Sequence, residues 1–242
     1  MTPSLRDVAR QFTLHRILDV QAYGSGNVND TFLVTHQSPE TKPTQAQFVL
    51  QRINTRVFVR PELIMQNVRV LSQHIVSRKK QNIDPLKRRW ELPSILSTRD
   101  NEDYLVDATG SFWRAMSFIE DSSSYTTVKS VQHAREAGRA LGRFHHLVSD
   151  LDVNKLHDTL EGFHITPQYL QQYDTVRAQN NSVPEDSYCI QFVTQRREWA
   201  SVLENAKAQN RLFMRTIHGD PKISNIMIDE TTGQAVSIVD LD

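Results

Sequence analysis

The residues best suited to chemistry lie near the end of the sequence, in the run His218 to Asn225 (HGDPKISN) and in the run Asp240 to Asp242 (DLD). Phosphoryl transfer needs one carboxylate that orients the acceptor hydroxyl, and an amide oxygen and a second carboxylate that hold magnesium on the nucleotide phosphates. Asp220, Asn225 and Asp240 can fill these roles in that order. The spacing fits, because a strand hairpin after Asn225 can return Asp240 to the loop that carries Asp220.

Lys222 and Asp242 extend this candidate centre. Lys222 follows Asp220 by two positions and can reach the transferred phosphate, while Asp242 can assist Asp240 at the metal. We therefore assign Asp220 and Lys222 to catalysis, and Asn225, Asp240 and Asp242 to magnesium. The alternative is an ordinary turn at 220–225, closed by aspartate and asparagine side chains.

Strand and helix patterns predict the elements that hold these residues. Five strands are predicted in the first half of the chain, at 20–24, 31–36, 47–53, 104–106 and 112–118. Helices are predicted at 4–18, 61–79, 128–148, 167–178 and 184–208. Further β-type runs lie at 214–217, 226–228 and 235–239, and the last two predict the hairpin that precedes Asp240. This order of elements indicates an α+β fold.

Composition narrows the choice of partners and compartment. Lysine and arginine balance aspartate and glutamate at 28 each, so we expect no nucleic-acid or membrane partner. The single cysteine, Cys189, excludes an internal disulfide and is interpreted as a small buried apolar residue. With no apolar run long enough for a membrane span, a cytoplasmic location is expected. The oligomeric state stays open.

The His-Gly-Asp motif at 218–220 resembles the His-Arg-Asp motif of protein kinases, and the whole set of motifs is similar to aminoglycoside phosphotransferase-like enzymes. Arginine in this motif reads a phosphorylated activation loop in protein kinases. Gly219 in its place implies a kinase for small molecules. The resemblance also implies that ATP and Mg²⁺ are the cofactors.

Four segments look like N-acetylhexosamine 1-kinases and their relatives: GSGNVNDTFLV (24–34), FVLQRINTRVF (48–58), GFH (162–164) and VDLD (239–242). This closer resemblance implies a sugar substrate, phosphorylated at the anomeric hydroxyl of N-acetylglucosamine or N-acetylgalactosamine, in carbohydrate metabolism. Close relatives use other acceptors, so kinases for aminoglycosides, choline or homoserine are alternatives.

The resemblance implies a two-lobed, protein-kinase-like fold, in which the five strands of the first half form a five-stranded antiparallel sheet. The expected division is a nucleotide-binding N-lobe at 1–118, a hinge or linker at 119–127, and a helix-rich C-lobe at 128–242. Members of the family continue with further helices after the position of Asp242, so the C-lobe is expected to be incomplete. A non-catalytic nucleotide-binding fragment is therefore a further alternative.

Between the first two strands, the resemblance implies a loop that covers the nucleotide phosphates. Backbone amides can approach phosphates where side chains are small, and Asn29 stands in place of the third glycine of the kinase pattern. The expected nucleotide-binding residues here are Gly24, Ser25, Gly26, Asn27 and Asn29. A plain hairpin turn explains the same residues.

Arg52 occupies the position at which kinase-like folds place a phosphate-binding lysine. A guanidinium can bind phosphate through two hydrogen bonds. The alternatives are a solvent-facing arginine, or an inward-facing Gln51 if the register differs by one residue. In kinase-like folds a glutamate on the next helix pairs with this cation. The corresponding position here falls near Asn67, so the presence of such an ion pair stays open.

Phe118, Ile119 and Glu120 follow the fifth predicted strand. The resemblance places them at the hinge, where backbone groups pair with the adenine edge.

Overall fold

The strand-forming runs of the first half of the chain build one antiparallel sheet. The computed structural model of the protein describes residues 3–24, 26, 28–38, 45–80, 88–179 and 187–242. Its first elements are α1 (Leu5–Ala9), β1 (Ile17–Ala22), β2 (Asp30–Gln37), β3 (Gln45–Ile53), α2 (Pro61–Lys80), β4 (Ile95–Leu96), β5 (Leu105–Val106) and β6 (Phe112–Ser117). The strand order is β1-β2-β3-β6-β4, with β5 paired to β6 beside this path. The sheet thus has six strands rather than five, because the two-residue β4 is too short to show alternation in the sequence.

The two faces of this sheet carry different side chains. Phe48 of β3 is buried in an apolar cluster with residues of α1. Arg52 lies on the same face, since it is four residues further along the strand, and it is paired with Trp113 of β6. Gln51 points to the opposite face, where its partner on β6 is Arg114. The register between β3 and β6 therefore decides which polar groups each face presents.

The second half of the chain is mostly helical. Its elements are β7 (Ser122–Ser123), α3 (Val131–Leu147), α4 (Thr166–Gln179), α5 (Tyr188–Arg196), α6 (Val202–Ala208), β8 (Ile226–Asp229) and β9 (Ala235–Ile238), with short 3-10 turns at Val153–Lys155, Arg197–Ser201 and Ile223–Asn225. Strands β7, β8 and β9 form a second antiparallel sheet. Its hairpin β8–β9 confirms the predicted pairing of 226–228 with 235–239.

The chain forms two compact units, Met1–Thr159 with Thr216–Asp242, and Leu160–Arg215. The division into lobes at 1–118 and 128–242 with a hinge at 119–127 stays a prediction. Within the hinge segment, β7 pairs with β8. Among the helices that the structure describes, none has the length and apolar character to cross a membrane.

Several predicted elements differ in the structure. The helix predicted at 4–18 ends at Ala9, and its last predicted residues, Ile17 and Leu18, are instead the first two residues of β1. The long helix predicted at 184–208 is described from residue 187 onward, and the 3-10 turn Arg197–Ser201 breaks this part into α5 and α6. The predicted strand at 214–217 is irregular, since no described strand pairs with it. Cys189 is exposed on α5, not buried.

Helix α2 is anchored to the segments that follow α3. The side chain of Asn67 donates to the carbonyl of His157 at 2.9 Å and accepts from its amide at 2.8 Å. Arg78 forms a 2.8 Å ion pair with Asp150. Leu71 and Ile75 of α2 pack with α3, β8 and β9 in one buried cluster. The amide that stands in the place of the expected glutamate thus holds α2 in position.

Replacing Asp107 with asparagine is expected to lower the free energy of unfolding by about 1–2 kcal/mol at neutral pH. The Asp107 carboxylate accepts hydrogen bonds from Thr109, Ser111 and the indole of Trp113, closing the turn between β5 and β6. Burial opposes ionisation of this carboxyl, but the donors outweigh it and hold its pKa at about 2.

The pH dependence of this effect has a definite sign. Because the folded pKa of Asp107 lies below the unfolded value, the stabilisation is complete above about pH 4 and is lost as pH falls toward 2. Urea unfolding at pH 7 and pH 2.5 measures the difference between the two proteins, which should shrink at the lower pH. The exposed Asp100→Asn is the matched control. An unchanged difference at pH 2.5 would contradict this role of the carboxylate.

Candidate active site

A loop and a hairpin bring the predicted catalytic residues together. The 3-10 turn Ile223–Asn225 leads into β8, and β9 returns the chain to Asp240. The amide of Val239 donates to the carbonyl of Asn225 at 2.8 Å, which fixes the two ends of the hairpin to each other. Gly219 has a φ of 89°, and Asp240 has a φ of 67°. A left-handed backbone is uncommon for a residue other than glycine, and it is often found at functional sites.

His218 locks the loop to the hairpin. Its Nδ1 accepts from the amide of Asp220 at 3.3 Å, so Nε2 carries the hydrogen that is donated to the carbonyl of Val239 at 2.9 Å. Burial lowers the pKa of His218, which keeps the ring neutral and maintains this tautomer. Phe144 of α3 packs against the ring edge to face. The histidine therefore positions Asp220 and does not itself supply charge.

Lys222 lies between two carboxylates. Its Nζ is 2.5 Å from Oδ2 of Asp220 and 3.8 Å from Oδ2 of Asp240. The hydrogen bond that Lys222 donates to the Asp220 carboxylate raises the pKa of Lys222, so the side chain stays cationic. All three side chains are about half exposed. The structure thus places a carboxylate, a cation and a second carboxylate side by side at an accessible position.

Asn225 is buried directly beneath this group. Its Nδ2 donates to the carbonyl of Asp220 at 2.9 Å, and its backbone amide bonds to the carbonyl of Lys222. With the amide nitrogen held in this way, the side-chain oxygen remains as the acceptor. An amide oxygen in a fixed orientation is a ligand type that magnesium accepts.

Asp240 and Asp242 form a pair of acidic neighbours. Partial removal of the half-exposed Asp240 side chain from water, and then the charge of Asp242, raise the pKa of Asp240. A divalent cation would relieve this repulsion, and the amide and carboxylate oxygens of Asn225, Asp240 and Asp242 suit magnesium. Within the described residues, no three or more histidine, cysteine, aspartate or glutamate side chains form a metal-binding group. The oxygen ligands of Asn225, Asp240 and Asp242 would suit a magnesium ion that takes its other ligands from phosphate and water.

The predicted phosphate loop is described in part. Gly24 has a φ of 77°, a left-handed backbone that glycine adopts readily because it has no Cβ. Ser25 and Asn27 lie outside the described residues. Gly26 is exposed. Asn29 is brought to the site, because its Nδ2 donates to Oδ2 of Asp242 at 3.0 Å and its Oδ1 accepts from the amide of Asn54.

Arg52 is directed away from this group of residues. Its guanidinium bonds to Asp30 and lies over the ring of Trp113, on the face of the sheet that α1 covers. Gln51 instead faces the site, since its Oε1 accepts from Arg114, which in turn contacts Asp242. The assignment of Arg52 to phosphate stays a prediction, and the inward alternative on β3 is Gln51.

The hinge residues have several of their polar groups engaged. Ile119 is buried with Met227 and Val236 of the second sheet, and its carbonyl accepts from Ser122 at 2.7 Å. The carbonyl of Glu120 accepts from Arg89 at 2.7 Å. Phe118 contacts Tyr23, which precedes the phosphate loop, with ring centroids 6.0 Å apart. Adenine binding by these three residues stays a prediction.

Arg114 belongs to the site and was missed in the sequence. It contacts Asp242 from the middle of β6, and only 4% of its side chain is exposed. A signal was available, because an arginine within the apolar run Phe112 to Met116 is unusual for a buried strand. Its partner is 128 positions away, which no local pattern reveals.

Comparison with known proteins places these residues in a family. The model of the phosphotransferase enzyme family matches residues 19–242. Among solved structures, an aminoglycoside phosphotransferase from Alicyclobacillus acidocaldarius subsp. acidocaldarius DSM 446 is 14% identical with a TM-score of 0.58 and covers 100% of this chain, which spans 67% of that protein. A spectinomycin phosphotransferase in complex with ADP and spectinomycin is 13% identical with a TM-score of 0.56, covering 100% of this chain and 70% of that one.

A microcompartment-associated aminopropanol kinase is 12% identical with a TM-score of 0.58, covering 98% of this chain and 69% of that one. Likeness at such low identity reports the fold. It confirms the predicted α+β, protein-kinase-like architecture.

Proposed function

Because this chain belongs to the phosphotransferase enzyme family, we propose that it transfers the terminal phosphoryl group of ATP to a hydroxyl group of a small molecule. The observation that carries the proposal is the position of Lys222 between Asp220 and Asp240, with Asn225 held beneath them. These four side chains match the needs of a reaction in which catalysis is mainly positioning and neutralisation of charge. ADP in the similar spectinomycin phosphotransferase supports a nucleotide as the donor.

The roles of the residues follow from their positions. Asp220 orients the acceptor hydroxyl and takes its proton as the new P–O bond forms and the bond to the ADP oxygen breaks. Lys222 neutralises the oxygens of the transferred phosphoryl group. To do so, its ammonium gives up part of its contact with the Asp220 carboxylate. Asn225, Asp240 and Asp242 would hold Mg²⁺, which when bound neutralises charge on the nucleotide phosphates. His218 keeps Asp220 in place through its hydrogen bond to the backbone.

The nucleotide itself is assigned to the first unit. The loop at 24–29 covers the phosphates, and the segment at 118–120 contacts the adenine. The edge contact between Tyr23 and Phe118 supports this assignment, because it joins the start of the loop to the hinge segment. Arg52 is half exposed and forms an ion pair with Asp30, so it would have to break this ion pair to bind a phosphate.

For the acceptor we propose the anomeric hydroxyl of an N-acetylhexosamine. The support is the similarity of four segments to N-acetylhexosamine 1-kinases, including the DLD run that carries both acidic metal ligands. The second candidate is a cationic amino alcohol or aminoglycoside. This candidate is favoured because two of the similar structures are kinases for amino alcohols, the aminopropanol kinase and a choline kinase from Cryptosporidium parvum Iowa II.

A panel of acceptors separates the two candidates. ADP release with Mg²⁺ is measured with N-acetylglucosamine, N-acetylgalactosamine, choline, an amino alcohol and an aminoglycoside. We expect turnover with the N-acetylhexosamines and none with their methyl glycosides, because methylation removes the anomeric hydroxyl and leaves the rest of the sugar unchanged. Turnover with the methyl glycosides would contradict the anomeric position. Turnover only with the amines would assign the cationic class of acceptor.

A further inference from the structure

Arg114 is a charged residue in a place where charge is costly. It lies in the middle of β6, between Trp113 and Ala115, which are both buried. The side chain of Arg114 is only 4% exposed. A guanidinium at such a depth is tolerated only when other groups pair with it. Its partners therefore indicate what it does.

The pairing of Arg114 leads to the candidate metal site. Its Nη2 is 2.5 Å from Oδ1 of Asp242, a carboxylate that is itself only 7% exposed. Its Nε donates to Oε1 of Gln51 at 2.9 Å, and the amide of Gln51 donates to Thr31 of β2 at 3.0 Å. The guanidinium is thus held in one orientation by the sheet and presents one edge to Asp242.

Asp242 is also held from the predicted phosphate loop. Asn29 donates to its Oδ2 at 3.0 Å, so each carboxylate oxygen has one partner from the sheet side of the site. Both partners lie far from Asp242 in sequence. The acidic end of the DLD run is therefore oriented by β6 and by the loop before β2, and not by its own hairpin.

One nitrogen of the Arg114 guanidinium has no hydrogen-bond partner among the described residues. This nitrogen, Nη1, is buried. Buried donors without partners are rare in folded proteins and often mark functional sites. The guanidinium thus keeps its contacts to Gln51 and Asp242 although Nη1 has no partner among the described residues.

We propose that Arg114 is a positioning residue of the magnesium site. It orients Asp242 beside Asp240 and offsets the charge of one of the two carboxylates, so that both can bind one cation. This role differs from the one assigned to Arg52, since Arg114 acts through Asp242 and does not contact phosphate. The inference rests on the proposed function, because the metal site belongs to the same nucleotide-dependent reaction.

Calorimetric titration with ADP, with and without Mg²⁺, tests the proposal on the whole chain. Arg114→Met is expected to weaken ADP binding at least about tenfold in the presence of Mg²⁺ and less than about twofold in EDTA. Arg143→Met is the matched control. Arg143 is equally buried at 5% exposure, but it stacks on Trp90 and bonds to the backbone at 88 and 89, away from Asp242. It should leave both affinities within about twofold.

Two further variants keep the test decisive if Arg114→Met folds poorly. Arg114→Lys retains the charge and should bind Mg²⁺-ADP between the unaltered chain and Arg114→Met. Asp242→Asn should reproduce the magnesium-specific loss, and its combination with an Arg114 variant should add little, because the arginine acts through that carboxylate.

The outcomes separate this inference from the proposed function. Equal losses with and without Mg²⁺, or no loss in either Arg114 variant, would overturn the positioning role alone. Failure of the unaltered chain to bind ADP under both conditions would contradict the proposed function, and the inference with it.

Discussion

Asp220→Asn is expected to lower kcat by roughly 10²–10⁴-fold while it leaves the affinity for Mg²⁺-ADP within a few-fold. Asparagine keeps the size of the side chain but cannot accept the proton of the acceptor hydroxyl. The surrounding loop should persist, because His218 and Asn225 bond to the backbone of Asp220 and not to its carboxylate. The loss therefore falls on the chemical step.

The measurement compares steady-state turnover with nucleotide affinity for the unaltered chain and the variant. Asp152→Asn, a change of an exposed aspartate outside the site, is the control and should keep full turnover. Turnover within tenfold of the unaltered chain would show that Asp220 is not the base.

Asp240→Asn is expected to lower turnover by more than about 100-fold, because it removes a charged metal ligand and even the outer-shell partners of such ligands are typically worth about 10–100-fold. Nucleotide binding should become insensitive to Mg²⁺. Asparagine suits this position better than alanine as a test, because it tolerates the left-handed backbone that Asp240 adopts at a φ of 67°. The variant thus removes charge with little added strain.

The same variant should be at least as stable as the unaltered chain when no metal is present. Partial burial and the neighbouring Asp242 raise the pKa of Asp240, so ionisation of this carboxyl destabilises the folded protein. The contribution of Asp240 to the free energy of unfolding falls as the pH rises from the pKa of this carboxyl in the unfolded chain to its higher pKa in the folded protein. Thermal unfolding in EDTA at pH 7 should therefore give an equal or higher Tm for Asp240→Asn. A clear fall in Tm would contradict the electrostatic cost, and retained Mg²⁺ dependence would contradict the role as a ligand.

The core of the candidate site could be predicted from the sequence because it is encoded locally. Asp220, Lys222 and Asn225 share one loop, and a short hairpin is enough to return Asp240 to them. Residue types and spacing therefore carry the geometry. His218 adds to this, since its contacts reach only Asp220 and the end of the same hairpin.

The sheet side of the site could not be predicted, because it depends on pairing between distant strands. Whether Gln51 or Arg52 faces inward is fixed by the register of β3 on β6, and a shift of one residue would exchange them. The contact of Arg114 with Asp242 joins two positions that are 128 residues apart in the sequence. Tertiary pairing, and not local preference, decides both.

Short or irregular segments are the second part of the fold that sequence patterns do not predict correctly. Two residues of β4 cannot show alternation, and the β-type run at 214–217 has no strand to pair with. Strand propensity alone therefore predicts a strand at 214–217 that does not form, and it misses β4.

The most direct test of phosphoryl transfer by this chain follows ATP and acceptor together by ³¹P NMR, with Mg²⁺ present. For the unaltered chain we predict that the γ-phosphate signal of ATP is replaced by that of a phosphorylated acceptor and of ADP, and that Asp220→Asn shows neither. Release of inorganic phosphate without a phosphorylated acceptor, or equal transfer by Asp220→Asn, would contradict the proposed centre at Asp220, Lys222, Asn225 and Asp240.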